Sequence, residues 1–404
     1  MVRRILLKFA LIATAVASVT SSLWALTEDA DTTATEASEA ASTEGITQVY
    51  VVPMNGQFGT DILPELYTSI CEDIKKVDPD VIVFRLRTNS LSSADEFQDI
   101  IEGDRNSKPR GNDKTDWNLL RDLRRQFAIE LVGYKQVLWV ENANGFISPM
   151  AFGWKDMVMS PDATIGNMVV WFQMAAGSAN GENMFGKYFD AMLGTIEGVA
   201  ERGGWTHPDR WPLLDAMTDP RQVLSTTWVG RKAIFYPNSR GDFVLDNSSG
   251  GPLYSLTASQ AEDLLVTRGV VSDMDDVSIL MGWPRYAVAK DASDVINKHR
   301  KHWRDLLERA KGAWRAFGEG REAGDLPGLS TALRALRKIV AIERSNPAMP
   351  FALQTNGMLS GVRLQILIET IEDEIKRLQA GGGGGGGGGL GGGGVGPGGP
   401  RPGG

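Results

Sequence analysis

Short apolar runs alternate with amphipathic stretches along the first half of the chain. Thr47–Pro53 and Val81–Leu86 are β-branched runs typical of buried strands, and Ile62–Val77 between them has apolar residues at helical spacing. A second helical stretch, Trp117–Leu131, leads to a strand at Gln136–Glu141. This alternation predicts right-handed βαβ units and a parallel sheet.

The pattern continues with shorter elements. An apolar turn at Phe146–Phe152 precedes the strand Met157–Met159, and the segment from Asp156 to Asn167 predicts a short strand running into a turn that ends in Ile165-Gly166.

After Trp283 the period of the apolar residues becomes helical throughout. Asp291–Phe317 and Leu329–Ile342 predict amphipathic helices. In the last stretch, apolar residues from Leu364 to Leu378 recur at alternating spacings of four and three, as in a coiled coil. That spacing suits a packed seam in a helical hairpin or a subunit contact. We therefore expect a separate helical domain at 291–379.

Both ends of the chain differ in composition from the middle. Arg3 and Arg4 precede the apolar stretch Ile5–Val19, and small residues follow up to Ala25, which predicts an export signal at 1–25; an uncleaved segment would be a single membrane anchor. Residues 26–45 hold six acidic and no basic residues and predict a disordered acidic linker. The Gly-rich segment 380–404 predicts a disordered tail.

Charge and rare residues exclude several classes of function. With 404 residues, a net charge of −8 and a pI near 5.2, the chain offers no electrostatic case for a nucleic-acid partner. The single cysteine, Cys71, lies among helical apolar positions and predicts a small buried hydrophobe. His299 and His302 share a helix face with basic neighbours and are predicted to be solvated; His207 lies in a predicted turn or helix start. We expect no metal site and no cofactor.

Three segments in this order resemble one known superfamily. They are Val52–Gly59, Met159–Gly166 and Leu256–Val271, and together they resemble the Clp protease/crotonase superfamily, most closely its exported branch of signal peptide peptidase A and NfeD-type serine peptidases. The resemblance covers roughly 47–283. It implies an α/β, ClpP/crotonase-like repeated ββα spiral core at 46–290, a peptide or protein substrate, and homo-oligomers. It also implies that Leu256–Val271 forms a helix capped by a Thr or Ser that leads into a closing strand.

The resemblance also implies a Ser-Lys dyad, in which a lysine kept neutral by burial takes the proton of the serine. Lys187 opens a helical segment that ends in Ala-Glu-Arg-Gly203, which matches the family lysine. The position that matches the family nucleophile is Gly145, and the nearest hydroxyl is that of Ser148. Pro149 follows and favours Ser148 as a helix N-cap.

The oxyanion-binding loop of the family carries a glycine pair after the second strand. Here the corresponding residues are Asn89 and Ser90, and with Gly145 they are the expected oxyanion and substrate-binding positions. Arg85 and Arg87 alternate on one strand face near this loop, where we expect pairing with Glu141 or Asp156. A polar insertion at 102–116 is predicted as an exposed loop at the rim of the site.

We therefore hypothesise an exported relative of the NfeD and signal peptide peptidase A enzymes, in the periplasm or cell envelope, whose catalytic centre has degenerated. It would act as a peptide-binding or assembly scaffold. The alternative is an active Ser148–Lys187 endopeptidase that cleaves membrane-associated or exported polypeptides. The N-terminal segment would associate either protein with a membrane.

Overall fold

The computed structural model describes residues 45–88, 116–166, 168, 171–172, 175–176, 182–205, 208–219, 221–246 and 255–381. The predicted export signal, nearly all of the acidic linker and nearly all of the Gly-rich tail lie outside these residues. So do the oxyanion positions Asn89 and Ser90, the insertion at 102–115, and His207.

A mostly parallel sheet forms the centre of the fold and confirms the predicted α/β class with a parallel-rich sheet. Its strand order is β10-β1-β2-β3-β5-β9, with β4 also paired to β3, and only the β5–β9 pair is antiparallel. Numbered in chain order, the strands of the described residues are β1 Thr47–Gly56, β2 Val81–Thr88, β3 Lys135–Asn144, β4 Asp156–Met159, β5 Thr164–Gly166, β6 Leu224–Val229, β7 Lys232–Tyr236, β8 Phe243–Asp246, β9 Ser255–Thr257 and β10 Tyr286–Asp291.

Helices cover the sheet and form the C-terminal region. In chain order they are α1 Pro64–Val77, α2 Asp116–Glu130, α3 Ser148–Ala151, α4 Glu182–Arg202, α5 Trp211–Thr218, α6 Ala258–Asp263, α7 Met274–Met281, α8 Ser293–Ala323, α9 Leu326–Ser345, α10 Met349–Thr355 and α11 Gly361–Gly381. Among these described helices, none combines the length and apolar character that crossing a bilayer requires.

The apolar strands are explained by burial on both faces of the sheet. On one face, Tyr50, Val52 and Met54 join the large apolar core that also includes Cys71, as predicted for that residue. On the other face, Val49 and Val51 join a smaller core covered by α7. Because successive side chains point to opposite faces, a strand buried on both sides needs an uninterrupted apolar run.

The C-terminal helices pack against the same core as the sheet. Trp303 and Leu307 of α8 belong to the apolar cluster that contains Tyr50 and Tyr67. In α11, the seam that begins at Leu364 is buried against α9 within the chain, so the structure places this seam in a helical hairpin. The boundary of a helical domain at 291 stays a prediction.

The segment around β9 has the expected capped helix, but a single bridge stands where a closing strand was expected. Thr257 caps α6 with a reciprocal capping box to Gln260. After α6 the chain returns to the sheet, where Met159 forms a parallel bridge to Val270 and the Val271 N–H donates to the Met159 carbonyl at 2.9 Å. A second, antiparallel sheet with the order β7-β6-β8 lies between α5 and β9 along the chain.

Candidate functional site

The carboxyl ends of β1, β2 and β3 meet at one edge of the parallel sheet and carry polar residues. In register, Asn55 lies beside Arg87 and Arg87 beside Asn142, while Gly56 lies beside the buried Thr88. In open α/β sheets, ligands bind in the crevice outside the carboxyl ends of the strands. This edge, which we call the carboxyl edge, is therefore the candidate site.

A small hydrogen-bond network occupies the carboxyl edge between β3 and β5. The amide of Asn144 donates to Asn142 Oδ1 at 2.8 Å and also to Thr164 Oγ1, and the Thr164 hydroxyl lies 3.4 Å from Asn142 Oδ1. All three side chains are half-buried. The network holds the end of β3 in the conformation from which the next turn starts.

Gly145 begins that turn, and its backbone explains why a glycine stands there. It is buried, has φ +76°, and opens the 3₁₀ turn Gly145–Ile147. An L-residue pays roughly 1 to 2 kcal/mol in the left-handed region because its Cβ crowds the following carbonyl. A serine at the position that matches the family nucleophile would be strained in this backbone.

Ser148 lies one turn later, at the first position of α3, and is fully buried. The prediction that Ser148 caps the helix is wrong. Its φ of −51° and ψ of −40° are already helical, its N–H donates to the Gly145 carbonyl, and Ile147 stands at the N-cap. Because the 3₁₀ turn brings the chain into helical angles early, the extended backbone that a side-chain cap needs is absent. In the described part of the chain, Ser148 Oγ has no hydrogen-bond partner.

Lys187 lies in the interior of α4, which begins five residues earlier than predicted, at Glu182. Its side chain is exposed. The helices α3 and α4 contact each other, so the structure brings the two elements of the predicted dyad together. It does not bring their functional groups together, since Ser148 Oγ is buried and makes no hydrogen bond to Lys187 Nζ.

The two arginines of β2 follow the expectation in part. Arg85 pairs with Glu141 through an Nε–Oε1 distance of 3.0 Å, and its guanidinium lies 4.8 Å from the ring centroid of Trp139. Asp156 pairs instead with Arg268, and Arg87 is exposed. The Arg85–Glu141 pair joins β2 to β3 just before the strands reach the carboxyl edge.

On the β1 side of the carboxyl edge, a buried carboxylate holds the loop Asn55–Ile62, which sequence reasoning missed. Asp61 Oδ2 accepts from the Gln57 N–H at 2.9 Å. Asp61 Oδ1 accepts from Arg300 Nε at 3.0 Å and from Trp303 Nε1 at 3.1 Å, both on α8. Arg300 Nη2 also donates to the backbone carbonyl and the side-chain oxygen of Asn55. We call these residues the Asp61 clamp.

The clamp also corrects the expectation for His299. Its Nε2 lies 2.9 Å from the Thr60 carbonyl oxygen, so the ring packs on the loop rather than in solvent. His302, three residues on, is exposed as predicted. His299 and Arg300 belong to a basic face of α8, and this face is half-buried because the loop after β1 supplies hydrogen-bond acceptors for it. In the sequence, the one sign of this contact is an acidic residue, Asp61, just before the apolar helix α1.

The position of α4 against α3 depends on a close backbone approach. A Cβ atom on Gly203 would lie 2.0 Å from the Phe152 carbonyl oxygen and 2.9 Å from the Trp154 nitrogen. Only glycine fits where the end of α4 meets the chain leaving α3. This contact explains the glycine of the Ala-Glu-Arg-Gly203 segment.

Burial of the Ser148 hydroxyl leads to a first prediction. We expect Ser148→Ala to leave the protein folded and to raise the free energy of unfolding by about 1 kcal/mol, because it removes a desolvated hydroxyl that no group of the described residues pairs. Urea denaturation followed by circular dichroism measures the difference. Ser225→Ala is the matched control: its hydroxyl is equally buried but donates to the Asn238 carbonyl and accepts from the Gly241 N–H at 2.8 Å, so its loss should destabilise. A clear loss of stability in Ser148→Ala would contradict the prediction.

A second prediction concerns pH and the contact between α4 and α5. Burial, with the nearby carboxylates of Glu197 and Asp219, raises the pKa of Asp215 from its ordinary 3.8 to about 6. The pKa of Asp215 is higher in the folded than in the unfolded protein, so the folded state favours the protonated carboxyl. The contribution of this carboxyl to the free energy of unfolding is therefore complete below about pH 4. It falls by about 3 kcal/mol as the pH rises through about 6. The free energy of unfolding of the natural protein should therefore fall relative to that of Asp215→Asn between about pH 4 and pH 7. A constant difference would refute it.

Comparison with known proteins gives only distant similarity. No protein-family model matches the chain, and no curated protein matches it. The similar solved structures include a lysine-to-alanine mutant of the 1510-N membrane-bound stomatin-specific protease in complex with a substrate peptide, at 13% identity and a TM-score of 0.34, covering 57% of this chain and 78% of that one. They also include a serine-to-alanine mutant of the same protease, at 14% identity and a TM-score of 0.31, covering 58% and 84%. At these values the similarity says nothing about the chemistry of this chain.

Proposed function

We propose that this chain is an exported homologue of the NfeD and signal peptide peptidase A serine peptidases that has lost its catalytic centre and serves as a peptide-binding or assembly scaffold. The observation that carries the proposal is the conformation of Gly145. The position that resembles the nucleophile holds a residue without a side chain, in a left-handed backbone that disfavours serine.

The surroundings of the other candidate groups support the same conclusion. A Ser-Lys dyad needs a desolvated lysine within hydrogen-bond reach of an accessible hydroxyl. Here the lysine candidate, Lys187, is exposed, and the hydroxyl candidate, Ser148, is sealed from solvent. A dyad needs a buried lysine and an accessible serine, and in this chain the lysine is exposed and the serine is buried.

The carboxyl edge remains suited to binding a polypeptide. Asn142, Asn144 and Thr164 offer amide and hydroxyl groups there, and extended peptides are held through such donors and acceptors. Within the proposal, the core at 46–290 keeps the repeated ββα arrangement of the superfamily, Asn89 and Ser90 take part in substrate binding, and the protein forms homo-oligomers in the periplasm or cell envelope.

Peptide hydrolysis tests the loss of catalysis. The full chain, Ser148→Ala and Lys187→Ala should all show the same background turnover of fluorogenic peptides and of casein, and none should be labelled by a fluorophosphonate probe. Fluorescein-labelled casein should still bind the full chain in an anisotropy titration. Turnover by the natural protein that both substitutions abolish would overturn the proposal.

The second candidate is the active endopeptidase with Ser148 as nucleophile and Lys187 as base. Two observations favour it: α3 and α4 contact each other, and no group of the described residues forms a hydrogen bond with the Ser148 hydroxyl. It would require the two side chains to move into contact on substrate binding. The same hydrolysis experiment distinguishes it from the scaffold.

A further inference from the structure

The small antiparallel sheet has several exposed apolar residues close to the turn between β6 and β7. The hairpin between β6 and β7 turns at Gly230-Arg231, and Trp228 and Val229 precede this turn. Trp228 is 37% exposed, Val229 59%, Phe243 56% and Val244 52%. We call these four residues with the turn the β6–β8 tip.

The apolar residues of the tip lie on both faces of the small sheet. Thr226 pairs with Phe235 on one side and with Phe243 on the other, so these residues and Trp228 share one face. Ser225 pairs with Val244 on the opposite face, which Val229 shares. A protein partner covers one face of a sheet, whereas an apolar medium surrounds a tip on all sides. Exposure on both faces therefore favours a lipid surface over a protein groove.

The contacts of Trp228 suit an apolar environment. Its ring contacts Phe243 edge-on at a centroid distance of 5.1 Å, and its Nε1–H donates to the Asp263 carbonyl at 3.3 Å. The polar group of the indole is thus satisfied within the protein, and the exposed part of the ring is apolar. Tryptophan is enriched at the boundary between lipid headgroups and acyl chains.

The charges beside the tip suit anionic headgroups. Arg231 at the turn is exposed and forms no ion pair with any described residue. Next to it, Lys232 pairs with Asp209, and Arg240 stacks on the ring of Tyr236 at 4.4 Å. The acidic neighbours are Asp242, which precedes β8, and the exposed Glu262 and Asp263 at the end of α6 that contacts Trp228, so Arg231 and Arg240 are the groups that would face the headgroups. Arginine at the end of an apolar tip reaches the phosphate level while the apolar residues lie below it.

The depth of insertion is limited by the backbone of the small sheet. The outer edge of β7 contacts α5 and the 3₁₀ turn Pro208–Arg210, whereas among the described strands β8 pairs with β6 alone. An open strand edge cannot enter the hydrocarbon, where its N–H and C=O groups would lose water. The tip therefore suits shallow insertion at the headgroup boundary, about 5 to 10 Å deep.

We propose that the β6–β8 tip inserts into the surface of a membrane containing anionic lipids, with Trp228, Val229, Phe243 and Val244 at the acyl boundary and Arg231 at the phosphates. This contact is independent of the predicted N-terminal segment and of the proposed peptide-binding function. It would hold the folded part of the chain against a bilayer without a spanning helix.

A fluorophore at the tip tests the proposal directly in the full-length protein. Val229→Cys is labelled with a solvatochromic dye; Cys71 is buried and burial raises the pKa of its thiol to about 12, so labelling is selective. Val362→Cys on α11, a valine that is 75% exposed, is the matched control. Vesicles of phosphatidylcholine and phosphatidylglycerol should shift the emission of the label at 229 to the blue and leave the label at 362 unchanged.

Two substitutions sharpen the test. Trp228→Ser with Phe243→Ser should raise the lipid concentration for half-maximal blue shift roughly tenfold. Arg231→Glu should weaken binding about fivefold on anionic vesicles and leave pure phosphatidylcholine unaffected. The stretch Ile5–Val19 could bring the chain to a vesicle by itself, but it would move both labels alike. No shift at 229, or equal shifts at 229 and 362, would overturn the proposal.

Discussion

Replacing Asp61 by alanine is expected to lower the free energy of unfolding by about 4 kcal/mol. The carboxylate accepts from the Gln57 N–H, the Arg300 guanidinium and the Trp303 indole, and it is almost completely buried. Its removal leaves a largely buried cation and two donors without partners, and each desolvated group that loses its acceptor costs free energy. Urea denaturation followed by circular dichroism measures the loss.

The matched control for this prediction is another aspartate in an ion pair. Asp373 pairs with Lys376 one turn on in α11, and both side chains are exposed. Since solvent screens such pairs, Asp373→Ala should change stability by less than about 0.5 kcal/mol. Equal effects of the two substitutions would show that the Asp61 clamp contributes no more than a surface pair.

The clamp matters for the candidate site as well as for stability. It joins α8 to the loop after β1, and this loop borders the carboxyl edge of the sheet. Asp61→Ala should therefore also reduce the binding of fluorescein-labelled casein, if the edge is the peptide site. Unchanged binding in a destabilised variant would place the peptide elsewhere.

Replacing Gly203 by alanine is expected to lower the free energy of unfolding by about 3 kcal/mol. The new Cβ would lie 2.0 Å from the Phe152 carbonyl oxygen, and its three nearest neighbours are backbone atoms, which cannot turn away as a side chain can. The end of α4 would have to move from the chain that leaves α3. Thermal denaturation of the two proteins gives the difference.

Gly194 provides the control on the same helix. It lies within α4, is exposed, and a Cβ there would meet no atom within 4 Å. Gly194→Ala should stabilise the protein by up to about 1 kcal/mol, because alanine loses less backbone freedom in a helix. The two substitutions are chemically identical, so opposite signs would isolate the close approach at Gly203. The same sign in both would refute this account of it.

The main elements could be predicted from periodicity alone. The runs at 47–53, 81–86 and 136–141 became β1, β2 and β3, each one to three residues longer at one or both ends than its apolar run. Helix limits moved by a few residues; α4 begins at Glu182 although Lys187 was expected to open it. The spacing of apolar residues predicts which face of an element is buried. It does not predict at which residue the backbone hydrogen bonds of a strand or helix end.

The candidate site was less accessible to sequence reasoning. Gly145 was noted because it falls on a position that resembles a nucleophile, but its left-handed φ is a property of the turn that the Asn144 network holds in place. Ser148 was expected to cap a helix, and only the preceding 3₁₀ turn made that impossible. No residue pattern predicted the tip formed by β6, β7 and β8.

By itself, the sequence determined the alternation of strands and helices, the helical character after 291 and the buried state of Cys71, because these depend on the spacing of apolar residues along the chain. Tertiary structure alone decided which polar groups meet. The clamp joins Asp61 to Arg300, which lies 239 positions later in the chain. Burial leaves the Ser148 hydroxyl without a hydrogen-bond partner among the described residues, and α9 covers the seam of α11. The burial and the hydrogen-bond partners of these polar groups depend on residues that are distant in the chain, so local sequence patterns do not predict them.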